Sequence, residues 1–193
     1  LGPAYARALV ARAEAAGAQI ATGVTVTALH DGPHLTVTSD AGRGEVAARL
    51  VLLTTGIRET TRAGRMIGGT KPGGVLTTGG VQGLVYGAGL RPFRRPVILG
   101  TELVAFSAIL TCRHAGIRPV AMVEPGARIT ARHPAGLLPR LLGIPLHLGS
   151  DLVAIEGRER VEAVVLRSGG TERRLEADGV IVTGRFRPEA TLS

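Results

Sequence analysis

The stretch PVILGTELVAFSAILTCRHAGIRPVAMVE, Pro96 to Glu124, decides the fold. PVILG is a short apolar run closed by a glycine, TELVAFSAILTCRHAG reads as a helix, and RPVAMVE is a second apolar run that ends on an acid. Strand, turn, helix and strand in this order form a βαβ unit, which predicts a parallel sheet. Working outward, the later runs IPLHLG, DLVAIEG, VEAVVLRS and EADGVIVTG are strand candidates, and the turn at Ser168-Gly169-Gly170 makes the third of them half of a meander. A short helix is expected around Ala135 to Leu142. Upstream, PAYARALVARAEAA places Leu9, Val10 and Ala13 on one face of a helix that ends at Gly17. VTVTAL and HLTVTS, separated by Asp31-Gly32-Pro33, predict a hairpin. In EVAARLVLLTTG the run LVLL is continuously apolar and predicts a strand buried on both faces. The glycine-rich segment between Gly56 and Arg95 shows no clean strand and reads as a linker with one short helix, about Thr78 to Tyr86.

The βαβ unit also carries the chemistry. In a dinucleotide fold the first strand delivers a glycine-rich turn, the helix N-terminus faces a pyrophosphate, and an acid closing the second strand accepts hydrogen bonds from a ribose. Gly100 and Glu124 occupy those two ends, at a separation close to the roughly 20 residues that the pattern uses. Between them GTELVA departs from G-x-G-x-x-G: Ala105 still lets helix and strand approach, but Glu102 sets a carboxylate where a pyrophosphate needs bare backbone. The same carboxylate is expected to cap the positive end of the helix. Either a nucleotide site or a Rossmann-like unit that no longer binds nucleotide follows from these residues. LVLLTTGIRE, Leu50 to Glu59, and GVIVTGRFRPEA, Gly179 to Ala190, are apolar runs that both end in Thr-Gly, followed in the second by a basic residue and Pro188. Such an ending lets a ligand lie against backbone.

Composition narrows the classes. The 193 residues are 45% hydrophobic, with 28 Gly, 11 Pro, three Phe, two Tyr and no Trp, so the core is aliphatic and the glycine excess marks turns and close approaches. The formal charge of +8 rests on arginines scattered from Arg7 to Arg187, with Lys71 the single lysine. Without interleaved aromatics it points to no nucleic-acid partner. Cys112 is alone, which excludes a disulfide framework and a CxxC redox pair within the chain and fits a reducing, cytoplasmic compartment. His30, His34, His114, His133 and His147 show no ligand spacing, so no metal is expected. His114 is placed at a helix C-terminus, and Ser107 and Cys112 are given structural roles. No apolar run approaches the roughly 20 residues of a membrane span. The first residues carry no signal-peptide pattern, and a start inside a helix without Met is read as that of a fragment.

The order LVLLTTGIRE, GVLTTGGVQGLVY, PVILGTELVAFSA, GVIVTGRFRPEA resembles the two-dinucleotide-domain flavoproteins of the pyridine nucleotide-disulfide oxidoreductase superfamily. The GVLTTGGVQ segment resembles the alpha-type subunits of amine, opine and hydroxyproline oxidases and of hydrogen cyanide synthase. The resemblance implies an α/β fold: a Rossmann-like inner dinucleotide-binding domain with a β-meander, at 95–184, plus an incomplete part of an FAD-binding domain with a linker at 1–94 and a return segment at 185–193. It places FAD against Thr54, Thr55, Gly56 and Arg58, with Val26 meeting the adenine, and the chain's return toward the FAD domain at Thr183, Gly184 and Arg185. Gly100, Thr101, Glu102, Leu103 and Glu124 mark the position of NAD(P), which Glu102 puts in doubt. The implied activity is oxidation of an amine- or imino-acid-type small molecule by hydride transfer to flavin, with no residue assigned as catalytic base. The alternatives are a non-catalytic nucleotide-binding or interaction module of a multi-subunit oxidoreductase, with a partner subunit, and an NAD(P)H-dependent flavin reductase component. The isolated chain is expected to bind FAD weakly or not at all and to be inactive.

Overall fold

The computed structural model describes residues 2–192. They form two compact units, one running up to Thr55 and rejoined from Ala190 onward, the other Gly56–Glu189. The first unit has helix α1 (Gly2–Ala15) and an antiparallel meander of β1 (Thr25–His30), β2 (His34–Ser39) and β3 (Gly42–Ala47). The expected hairpin is there, with Thr25 opposite Thr38 and His30 opposite His34. The LVLL run corrects the expectation. No described strand pairs with it, it is irregular, and Leu50 and Leu52 are each more than four-fifths exposed. A run of this kind becomes a strand only where neighbours cover both of its faces.

The second unit begins with the two-residue β4 (Ile57–Arg58) and β5 (Gly68–Gly69), then β6 (Val75–Thr77) and helix α2 (Thr78–Gln82), which continues as one wide π-type turn to Gly87. The stretch expected to be a strandless linker therefore supplies edge strands to two larger sheets and one strand of a two-stranded ribbon. Next come β7 (Pro96–Leu99), α3 (Leu103–His114), β8 (Ala121–Glu124), α4 (Leu137–Leu141) and β9 (Leu146–Leu148). The chain closes with β10 (Asp151–Glu156), β11 (Ala163–Ser168), β12 (Thr171–Glu176), β13 (Gly179–Val182) and β14 (Arg187–Pro188).

A parallel sheet in the order β6-β13-β7-β8-β9 lies between two layers. Ile98, Met122 and Ile181 pack with Val81, Phe106 and Ile109 of the helices on one face. Val97, Leu99, Val123, Val180 and Val182 pack on the other face against Ile155, Val164 and Leu166 of the second sheet, β12-β11-β10-β5. Neighbouring residues along one strand thus face opposite layers, which is why Val97 to Leu99, Ala121 to Val123 and Val180 to Val182 are apolar at every position. Cys112 is fully buried in the helical layer, and burial pushes its thiol up to about 12. Ser107 Oγ accepts a 2.9 Å bond from Gln82 Nε2, which ties α3 to α2.

Asp178 sets the spacing of β7 and β13. Its two carboxylate oxygens accept the backbone N–H groups of Arg94 at 2.7 Å and Arg95 at 2.6 Å, just before β7 starts. Removing a partly buried carboxylate that satisfies two backbone donors costs more than a neutral bond. Asp178→Ala is expected to lower unfolding free energy by about 2 kcal/mol, read as a reduced urea midpoint. A change within experimental error would show that the strand pair holds its register without this clamp.

Candidate functional site

From β7 the chain moves to β8 and β9 on one side, then returns through the meander to β13 on the other. The order reverses between β7 and β13, and in open α/β sheets ligands bind outside the carboxyl ends of the strands at such a reversal. Gly100 follows β7 there, and Thr183-Gly184 follows β13.

Glu102 fills this crevice. Its Oε2 accepts a 3.1 Å bond from the Thr183 hydroxyl, whose one proton is also in reach of the Leu99 carbonyl at 2.9 Å. A Cβ on Gly184 would overlap the carboxylate, with Oε2 2.7 Å away, and a Cβ on Gly100 would overlap Oε2 and come within 3.3 Å of Cδ. The two glycines make room for a side chain of the same protein. The expected capping of α3 is corrected: Glu102 is the residue before the helix, in extended conformation, but its side chain makes no capping bond. It reaches across the crevice to β13 instead. Leu103, at the first position of the helix, is three-quarters exposed.

Glu124 is also engaged. Its Oε1 accepts the Gly126 N–H at 2.9 Å, and its Oε2 accepts the hydroxyls of Thr101 at 2.5 Å and Thr130 at 3.4 Å. Thr101 is completely buried and its oxygen accepts the Thr130 N–H at 2.9 Å, so hydroxyl, carboxylate and loop form a closed set of bonds. These residues do not fit NAD(P) as they stand: the phosphate position holds a carboxylate, and the ribose acceptor is nine-tenths buried with its oxygens bonded internally.

Beside the crevice, β4 and β14 pair antiparallel, Ile57 opposite Pro188 and Arg58 opposite Arg187. Glu189 N–H donates to Gly56 O at 3.1 Å, Thr60 N–H donates to Gly184 O at 3.3 Å, and the Thr60 hydroxyl donates to Arg185 O. One ribbon therefore joins the segments after the two Thr-Gly endings. Arg58 forms an ion pair with Glu189 at 3.1 Å. Arg185 adopts a left-handed conformation at φ 47°, which is uncommon for a side chain of its length.

Two residues that the sequence did not single out complete this region. Glu59 Oε2 accepts the Gly79 N–H at 2.9 Å and its Oε1 accepts the Gly184 N–H at 3.3 Å, tying α2 to the end of β13. The Arg65 guanidinium donates to the Thr183 carbonyl, and its buried Nε has no partner. Burial lowers its pKa, with the negative charge of Glu102 opposing that shift. Glu59 stands inside the quoted LVLLTTGIRE motif, whereas nothing local marks Arg65, whose partner lies 118 residues away.

In the first unit, Val26, Thr54 and Thr55 line a single groove of about 460 Å³ with Val24, Leu35 and Val51 to Leu53. The outer edge of β1 bears no other described strand. Among the described residues there is no cluster of groups that could hold a metal ion, and no helix is long and apolar enough to cross a membrane.

The class of fold that these features define is the Rossmann-like unit with a meander, and solved structures share it over nearly the whole chain. Thioredoxin reductase from T. acidophilum matches with a TM-score of 0.75 and 18% identity, over 97% of this chain and 60% of that one. Bacillithiol disulfide reductase from Bacillus cereus matches with a TM-score of 0.71 and 17% identity, over 99% and 57%. An NAD-dependent persulfide reductase from A. fulgidus matches with a TM-score of 0.70 and 16% identity, over 92% and 34%. A further match is described as an FAD-dependent pyridine nucleotide-disulphide oxidoreductase, from Desulfovibrio vulgaris. At these identities the likeness establishes the α/β fold, and the chain spans 60% or less of the length of these proteins. No protein-family model and no curated protein matches the sequence.

Proposed function

We propose that the chain is part of an FAD-dependent oxidoreductase that oxidises an amine- or imino-acid-type substrate. The observation that carries the reading is the ribbon of β4 and β14, which brings the segments after both Thr-Gly endings together beside the carboxyl end of a parallel sheet. The similarity to solved flavoprotein structures over nearly the full chain supports it. The residues of the first unit fit the adenosine end of FAD: an apolar groove carrying Val26, with Thr54 and Thr55 supplying hydroxyls at its wall and an open strand edge beside it. When bound, flavin supplies an acceptor for the hydride leaving the carbon next to nitrogen. The chain's residues bind and orient. Thr54, Thr55 and Gly56 are proposed to lie against the cofactor, and the Arg58–Glu189 pair holds the ribbon that follows.

The amine-type substrate follows the resemblance of GVLTTGGVQ, Gly74 to Gln82. This motif forms β6 and α2: Thr77 Oγ1 accepts the Gly80 N–H at 3.2 Å and stops the strand, while Gly79 N–H meets Glu59 beside Gly184. The test is purification of the natural full-length polypeptide. Bound FAD that is bleached anaerobically by a secondary amine or imino acid is the expected result. A colourless protein that takes up no FAD overturns the cofactor assignment, and bound FAD bleached by none of these substrates overturns the substrate class.

A second reading, a non-catalytic module seated on a partner subunit of an oxidoreductase, draws on the exposed apolar side chains Leu50 and Leu52. FAD bound by the full-length protein and bleached by substrate in the absence of any partner decides against it.

A further inference from the structure

We infer that the parallel sheet keeps dinucleotide-site geometry but is closed by the chain's own side chains, with Glu102 at the pyrophosphate position and Glu124 bound internally at the ribose position, so that it takes no NAD(P). The inference is independent of the flavin reading, because it concerns the second unit alone and is read by direct binding.

Three observations carry it. First, the space that a dinucleotide fold leaves over Gly100 at the strand reversal is occupied, since a Cβ on either Gly100 or Gly184 would overlap the Glu102 carboxylate. Second, a carboxylate there repels a pyrophosphate, and the sheltered surroundings screen that repulsion less than bulk water does. Third, Glu124 offers no oxygen without a partner. Oε1 holds Gly126, Oε2 holds Thr101 and Thr130, and Ala131 N–H donates to Thr101 O at 2.9 Å, pinning the covering loop. A ribose would have to displace the hydroxyls on Oε2 or share Oε1 with the Gly126 N–H.

The two closures differ in how they can be opened. Glu124 is part of the buried framework. Glu102 is partly exposed, held in the crevice by the Thr183 hydroxyl, and Thr183 has the Leu99 carbonyl as an alternative acceptor. Removing the Glu102 side chain thus vacates the phosphate position and leaves the Thr183 hydroxyl a partner in the Leu99 carbonyl.

The experiment is calorimetric titration of the full chain with NADH, NADPH and ADP, using wild type, Glu102→Gly, Glu102→Ala and Glu102→Gln. Wild type is expected to bind each no tighter than the millimolar range. Glu102→Gly and Glu102→Ala are expected to bind ADP and NADH at least about tenfold more tightly, a change of about 1.4 kcal/mol. Glu102→Gln, which keeps the volume and removes the charge, is expected to bind more tightly than wild type but less tightly than Glu102→Gly and Glu102→Ala. Micromolar NADH or NADPH binding by wild type overturns the inference whatever the variants do. Folded Glu102→Gly and Glu102→Ala, by circular dichroism and melting, that bind no tighter than wild type also overturn it. Ala serves as the second variant because it removes the carboxylate without adding glycine flexibility at the start of α3.

Discussion

Ile181→Ala is expected to destabilise the second unit by about 3 to 4 kcal/mol, within the range measured for emptying a fully buried aliphatic site. Ile181 is completely buried on β13, the strand flanked by β6 and β7, and its side chain belongs to the helical face with Ile98, Phe106 and Met122. Truncation removes three carbons from a site whose neighbours are fixed from both sides: by the sheet ladder and by α3. The cavity cannot collapse without moving one of them, so the cavity term adds to the lost transfer energy. Urea denaturation measures the loss, and at about 2 to 4 °C per kcal/mol for a chain of this size the melting temperature falls by about 10 °C. Leu110→Ala is the control: the same helix carries Leu110 about half exposed, and less than about 1 kcal/mol is expected because little apolar area leaves water there. Equal losses at the two sites would contradict a core layered on the parallel sheet.

The contrast between those sites also shows what the amino-acid sequence reveals. PVIL, α3 and AMVE are legible because their signals are local: a uniformly apolar strand, a glycine, and a helix closed by His114 and Gly116. The short strands β5 and β6 are not legible, because two- and three-residue strands have no period to detect and exist through distant partners. Gly68 and Gly69 pair with Ala154 and Ile155, and a Cβ on Gly69 would overlap the Ile155 backbone, whose nitrogen would stand 2.7 Å away. In the sequence these glycines read as linker. LVLL misleads for the opposite reason: its composition is that of a buried strand, but composition does not supply the neighbours that bury it. Glu102 was legible as a departure, since the fingerprint fixes what should stand there. Its destination across the crevice was not, since that depends on Thr183 and Gly184, some 80 residues later.

Gly184→Val is expected to cost about 3 kcal/mol, from two sources that a double-mutant cycle separates. The backbone at Gly184 has φ 66°, a left-handed conformation that costs a side-chain-bearing residue about 1 to 2 kcal/mol, and more for a β-branched one. The new Cβ also enters the volume of the Glu102 carboxylate. Those carboxylate atoms end a flexible side chain, so the clash is relieved by expelling Glu102 from the crevice rather than by moving the sheet. Expulsion loses the Thr183 hydrogen bond and forces new rotamers, a further cost of about 1 to 2 kcal/mol. In a Glu102→Ala background the second cost vanishes, while the backbone strain remains. The cycle should therefore return a coupling of about 1 kcal/mol or more, well above the roughly 0.3 to 0.5 kcal/mol scatter seen between independent sites. Additive losses would mean that the carboxylate does not occupy the space between the two glycines. Coupling in stability, together with nucleotide affinity gained on removing Glu102, would assign both effects to one group: the side chain that holds this crevice together is also the one that shuts it.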